Sequence, residues 1–489
     1  MNCSPRAALG LSAILSLALA VCGEDLTRHD GGSAAGGTGA GGVAGGAGGQ
    51  GGAGGAAGAG GQGGGVGNGG GRGGGVGGAG GQGTVPVPPV DSARSSIQRI
   101  TDPQVTTADS SQLASDNAAF AFDVYNKLVA TNSNVVFSPL SISIALAMTY
   151  AGAAGTTASE MASTLHFSLP PARLHAAFNA LDLALTSRGQ GWPVKINVAN
   201  ALWADKTLTF KSDFLDTLAA NYGAGVNLLD FIHAPDPSRQ TINTWVASQT
   251  NNKIQDLLPV GSISDQTRLV LTNAIYLDAT WHVFDSSTTV SNSFTRLDGS
   301  SVTVKFMDVA SSNLPATRAT NFVAASLPYA NPDLSLVVVV PDPGKFAEVE
   351  SSLNATTLAT LMAGMTTQSV GVYLPRFQIK TVAGLAETLR ALGMKSAFAV
   401  DGTADFSGMS DEPGLHLLDV IHKAFISVAE AGTEAAAATG VVMAGGTSGH
   451  ATPTPALILD ASRPFLYFLR DQPTGAIVFM GRVMDPSAN

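Results

Sequence analysis

From residue 108 onward the apolar positions follow two periods. SSQLASDNAAFAFDVYNKLVA (110–130) opens on serine and repeats Leu113, Phe120, Val124 and Leu128 at helical spacing, which predicts an amphipathic helix. PLSISIALAMTYAGA (139–153) is apolar nearly throughout and predicts a buried helix begun by Pro139. PSRQTINTWVASQTNNKIQDLL (237–258) predicts another long helix. Strands are predicted at VKINVANALW, RLVLTNAIYLDATW, LSLVVVV, SVGVYLPRFQIKT, VIHKAFISVA, RPFLYFLR and AIVFMGRV. Helices and strands mix without a regular βαβ alternation. The expected class is α+β, with large and mostly antiparallel sheets. No internal repeat is visible.

Upstream the pattern breaks down. From Gly31 to Gly83, 33 of 53 residues are glycine, a composition with nothing to bury. As a flexible coil it would span about 40 Å, the behaviour of a tether. Its glycine runs mimic phosphate-binding patterns, but no strand precedes them and no acidic residue follows at the right distance. VPVPPV (85–90) stiffens the exit from the tether. At the N-terminus, Arg6 precedes an apolar run from Ala7 to Ala20, too short to span a bilayer comfortably, which reads as an export signal. The run ends in LALAVCGED, like a bacterial lipobox in which Cys22 would carry the lipid, although Val21 stands where Gly, Ala or Ser is usual. The alternative is ordinary signal cleavage. The expected organisation is therefore signal segment 1–22, tether and linker 23–107, and one folded domain 108–489. The expected location is the cell surface or outer membrane through Cys22, or the medium.

Composition narrows the chemistry. The net charge is −10 with only 13% charged residues, and no basic patch supports nucleic-acid binding. The two cysteines, Cys3 and Cys22, precede the domain, so it has no disulfide, and they build none of the common zinc spacings. G-x-S-x-G, H-E-x-x-H and G-x-x-x-x-G-K-[ST] are absent and the eight histidines do not cluster. Nothing in the sequence supports an enzyme or calls for a metal or cofactor.

One stretch poses a question that these classes do not answer. EAGTEAAAATGVVMAGG (430–446) follows a strong strand yet contains almost nothing that packs. Its surroundings resemble the serpin family across nearly the whole domain. VFSPLSISIALAMTYAGAAGTT (136–157) is similar to the family's N-terminal signature. INTWVASQTNNKIQDLL, LVLTNAIYLDATW, VYLPRFQI and LRALGMKSAF follow in family order. HKAFISVAEAGTEAAAATGVVM (422–443) is similar to the hinge and reactive loop, and RPFLYFLRDQPTGAIVFMGRVMDP (463–486) to the C-terminal signature.

The resemblance implies a metastable fold with three β-sheets, eight or nine helices and an exposed reactive-centre loop. It implies a monomer that inhibits a serine protease, or a cysteine protease, without a cofactor. The protease cuts the loop, and the loop enters the main sheet before the acyl-enzyme hydrolyses. The hinge falls on Glu430, Gly432, Thr433, Glu434, Ala435, Ala436, Ala437, Ala438 and Thr439. In a strand, Thr433, Ala435, Ala437 and Thr439 would face inward, and all are small and uncharged. The resemblance also places a polar shutter under the sheet at Ser138, Ser141, Asn273 and His422, and a breach, where insertion begins, at Trp281. By themselves these residues also suit helix capping and ordinary core packing.

The scissile bond stays open. Counting forward from Glu430 by the family's spacing gives Gly446–Thr447, whereas counting back from Pro464 gives a position near Pro453. The loop is thus about seven residues longer than usual for the family. No Arg or Lys lies between Glu430 and Leu459, which favours an elastase- or subtilisin-like target over a trypsin-like one. A non-inhibitory binding or structural module with the same fold is the alternative. Bulky or charged residues on the inward set would favour it, and none are there, while Gly440, Gly445 and Gly446 would slow insertion and let more protease escape, because glycine weakens a strand.

Overall fold

The structure, a computed structural model, describes residues 90–129, 132–281, 283–433 and 455–488. Along the chain, β1 (Asp91–Ala93) precedes α1 (Thr107–Leu128), β2 (Val135–Phe137), α2 (Pro139–Tyr150), α3 (Gly155–Thr164) and α4 (Pro171–Ser187). Then come β3 (Val194–Asp205), α5 (Ser212–Tyr222), β4 (Val226–Leu229), α6 (Pro235–Gln249) and β5 (Leu269–Ala279). A strand-rich stretch follows with β6 (Val290–Thr295), β7 (Ser301–Arg318), β8 (Phe322–Pro328) and β9 (Leu334–Pro341). After α7 (Phe346–Ser352) and α8 (Ala355–Ala363) lie β10 (Thr366–Pro375), β11 (Phe377–Gly384) and α9 (Ala386–Leu392). The last strands are β12 (Val420–Ala429), β13 (Gly432–Thr433), β14 (Leu457–Asp460), β15 (Phe465–Asp471) and β16 (Ile477–Val483).

The strands form two hydrogen-bonded sheets. The first has seven, in the order β1-β4-β3-β5-β13-β12-β11. The second has nine, running β14-β10-β7-β8-β9-β15-β16-β2 with β6 on β7. The third sheet implied by the resemblance is not separate. Its strands β6, β10 and β14 join the second sheet because β7 runs unbroken through Ser301–Arg318. Nine α-helices surround the sheets among the described residues.

Burial explains the apolar patterns. On β5, Leu269, Leu271, Ile275, Leu277 and Ala279 enter the main core, while Val270 and Ala274 join a smaller cluster with Ile242 and Val246 of α6. A strand covered on both faces reads as a continuous apolar run, and so does β15, where Phe465 through Leu469 are all buried.

The helix predicted to start at Ser110 begins at Thr107. Its cap is Thr106, whose hydroxyl accepts from the Asp109 amide at 3.1 Å. The helix predicted over 237–258 stops at Gln249, because Asn251 and Asn252 adopt φ of 50° and 60°. The run 369–381 is two strands, β10 and β11, which belong to different sheets.

The start of the ordered domain also moves. Residues 90–107, assigned from the sequence to the linker, lie on the domain, with β1 antiparallel to β4 and Arg99 paired to Asp182. The segment carries no amphipathic period because backbone pairing and side-chain hydrogen bonds hold it, not an apolar face. The tether, and Cys22 with it, lies outside the described residues.

Candidate functional site

Two neighbouring strands of the first sheet, β5 and β12, are parallel, and their pairing is confined to one end. Leu271–Ile275 lie opposite Val420–Ala424, with His422 level with Asn273. Beneath this seam is a closed polar cluster. Ser138 caps α2 by accepting from the Ser141 amide at 3.2 Å, and its own amide donates to His422 Nε2 at 3.1 Å. With Nε2 accepting, the imidazole carries its proton on Nδ1, which donates to Asn273 Oδ1. Asn273 Nδ2 donates to Ser141 Oγ at 2.6 Å and to Asn200 Oδ1 at 2.7 Å. Ser141 Oγ donates to Asn200 Oδ1 at 2.9 Å, and Asn200 Nδ2 donates to the Ser141 carbonyl at 3.0 Å. Ser138, Ser141, Asn273 and His422 are all fully buried, so the network must be complete to be tolerated. Burial pushes the His422 pKa down to about 3, which keeps the ring neutral.

At the other end the two strands part, and the chain leaving β12 folds back between them. Gly432 pairs with Ala429, and Thr433 pairs with Val428 on β12 and Ala279 on β5. Gly432 is at φ 126°, and a Cβ there would run into the backbone of Ala279 and Thr280, so no other residue fits this turn. Thr433 is 1% exposed, and its hydroxyl lies 2.6 Å from Tyr329 Oη. Tyr329 stacks on Trp281 at 4.1 Å between ring centroids, and Phe284 meets the indole edge-on. Among the described residues the Trp281 Nε1 proton has no hydrogen-bond partner.

Glu430 is fixed beside the same turn. Arg376 contacts its Oε1 through Nε at 2.8 Å and Nη2 at 2.7 Å, and the Thr289 hydroxyl donates to it. Burial pushes this carboxyl up, but hydrogen bonds from Arg376 and Thr289 outweigh burial and hold it below the usual carboxylate range.

The structure therefore brings Ser138, Ser141, Asn273 and His422 into one network, and Trp281, Glu430, Gly432 and Thr433 into another at the opposite end of the seam. Glu434, Ala435, Ala436, Ala437, Ala438, Thr439, Gly446 and Thr447 lie outside the described residues. Asn200, Tyr329, Arg376 and Thr289 were not singled out from the sequence. Asn200 left a trace: on β3 it shares the core-facing period of Val198, Leu202 and Ala204, where a polar residue needs a buried partner. The other three left none, since each meets the site only through the fold.

The family described as Serpin (serine protease inhibitor) matches residues 115–486. An uncharacterized serpin-like protein of Thermococcus kodakarensis is 38% identical over 369 residues, spanning 75% of this chain and 84% of its own. Leukocyte elastase inhibitor of Xenopus tropicalis is 35% identical over 385 residues, spanning 76% of this chain and 99% of its own. Among solved structures, Tengpin, a thermophilic serpin in its native state, aligns with a TM-score of 0.71 at 27% identity, covering 81% of this chain and 99% of that one.

Proposed function

Because the chain belongs to the serpin family, we propose that it inhibits serine-type endopeptidases as a suicide substrate. The protease serine attacks a loop carbonyl beyond Thr433. The peptide C–N bond breaks, an ester forms, and the new amine leaves with the proton relayed by the protease histidine. The freed loop then enters the first sheet between β5 and β12, a switching transition known for this family.

One observation carries the reading: the first loop residue is already seated, and the two strands beyond it share a register. Thr433 is level with Ala279 and Val428. The foot of the seam pairs Leu271 with Val420, eight residues down each strand (279 − 271 and 428 − 420). A strand continuing from Thr433 would meet both neighbours in step, as far as Val441. Ala435, Ala437, Thr439 and Val441 would then face the core, with Thr439 arriving level with Asn273 and His422. Glu434 would face outward, where its charge costs little.

The absence of Arg and Lys from the loop supports an elastase- or subtilisin-like target, as does the similarity to a named elastase inhibitor. The N-terminal pattern supports export, with the monomeric domain held off a surface by the tether and the lipid on Cys22. The glycines at 440, 445 and 446 favour the second reading, a non-inhibitory module of the same fold. Incubation with elastase and subtilisin, with trypsin as a control that finds no Arg or Lys in the loop, followed by denaturing gels, separates the two. An SDS-stable band at the summed mass supports inhibition, and the N-terminal sequence of the released peptide gives the scissile bond. Complete cleavage of the loop by elastase and subtilisin without such a band supports the module.

A further inference from the structure

We infer that residues 91–100 form a strap that governs how readily the first sheet opens. At one end, β1 extends the sheet by pairing Asp91, Ser92 and Ala93 with Leu228, Asn227 and Val226. Past β1 the segment crosses two helices. Ser95 donates to Asp216 of α5, and the Ile100 amide donates to the Ala220 carbonyl at 2.9 Å. Arg99 then reaches α4, donating to Asn179 Oδ1 at 2.9 Å and to Asp182 at 2.6 Å. Asn179 returns a hydrogen bond from Nδ2 to the Ile100 carbonyl at 2.8 Å.

The seat is built for this segment. Asn179 is fully buried, and both ends of its amide are occupied by the strap. Without the strap, Oδ1 would lose its hydrogen bond, and Nδ2 would keep only a 3.5 Å approach to Ala220. Two glycines make room beneath it. Gly223, at φ 61°, lies under Arg99. A Cβ on Gly225 would come within 2.5 Å of Arg94 Cγ and 2.6 Å of the Ala93 carbonyl.

The sheet order gives the strap its leverage. Opening the seam divides β1-β4-β3-β5 from β12-β11. α4 packs against α1, and α1 against β16 of the second sheet. The strap thus joins the edge of the strands that move to a helix fixed on the body. When β5 leaves β12, β4 must slide past α4, and the hydrogen bonds that Arg99 and the Ile100 carbonyl make with α4 resist that slide. On the function proposed above, the strap would limit loop insertion, but its action on the seam needs no protease.

The test is amide hydrogen exchange on the full uncut chain, with Arg99→Ala and Gly225→Ala as variants. The first removes both side-chain ties of Arg99 to α4, and the second pushes β1 off while leaving every strap residue in place. Exchange at Leu271–Ile275 and Val420–Ala424 should rise about fivefold or more in both variants, while Leu336–Val340 and Phe465–Leu469 change less than about twofold. Unchanged exchange at the seam would overturn the inference. So would equal acceleration in both sheets, which marks a general loss of stability. No inhibition enters this readout, so it stands or falls apart from the proposed function.

Discussion

Replacing Thr433 by arginine challenges the place where the proposed insertion would begin. The threonine is 1% exposed, paired on both sides, and its hydroxyl is 2.6 Å from that of Tyr329. Arginine there leaves the Tyr329 hydroxyl buried without its partner, a cost of about 1–3 kcal/mol. It also brings a guanidinium to a buried corner where the Glu430 carboxylate is already held by Arg376, which costs several kcal/mol more. If only ~3 kcal/mol of this appears in the barrier to insertion, insertion slows by roughly 150-fold. In the proposed mechanism trapping competes with hydrolysis of the acyl-enzyme, so slower insertion moves the outcome to turnover. The assay counts moles of inhibitor consumed per mole of protease inactivated. Thr433→Ser, which keeps the hydroxyl, should match the parent. Thr433→Arg should be cleaved without lasting loss of protease activity. Trapping by the arginine variant at the parent's stoichiometry would refute the reasoning.

Three further outcomes follow from the same geometry. Asn200→Ala removes the acceptor shared by Ser141 Oγ and Asn273 Nδ2, and should lower stability by about 1–3 kcal/mol, read as a fall in urea midpoint. Arg376→Met leaves the Glu430 carboxylate buried with Thr289 alone. The depressed Glu430 pKa contributes stability above its ordinary 4.5, and that contribution is lost as pH falls through the folded value. The variant should therefore melt clearly below the parent at neutral pH and draw level in acid. Burial pushes the pKa of His422 down to about 3 and that of His175 to about 4, from an ordinary 6.5. The unfolded chain binds these protons first, so stability should fall as pH drops from 6.5 toward those values. His422→Gln and His175→Phe should each flatten the slope of unfolding free energy between pH 6.5 and 5.

The elements legible in the sequence were those whose burial is uniform along the element. β5 and β15 carry long apolar stretches because both faces are covered, and α2 is buried almost all round for the same reason. The hinge came from the family resemblance, and only its first residues, Glu430, Gly432 and Thr433, fall among the described residues, at the turn that leaves β12. What stayed hidden depends on distant partners. Arg376 is one polar residue between two strands until the fold sets it on Glu430. Tyr329 belongs to no element read from the sequence, and its place shows only when it stacks on Trp281 and reaches Thr433. Residues 90–107 look like linker because a three-residue edge strand and scattered hydrogen bonds from Ser95, Arg99 and Ile100 hold them, and none of these has a periodic signature. The early stop of α6 is set by left-handed asparagines that helical spacing alone does not reveal.

The central claim is that the cut loop becomes a strand between β5 and β12. Its most direct test is the thermal midpoint of the chain before and after one cut in the loop by elastase or subtilisin. If the loop enters in register beside Ala279 and Val428, the new ladder and the closed seam raise the midpoint well above that of the uncut chain. A cut chain that melts at or below the uncut midpoint would mean that the loop stays outside the sheet, and the proposed mechanism would fail with it.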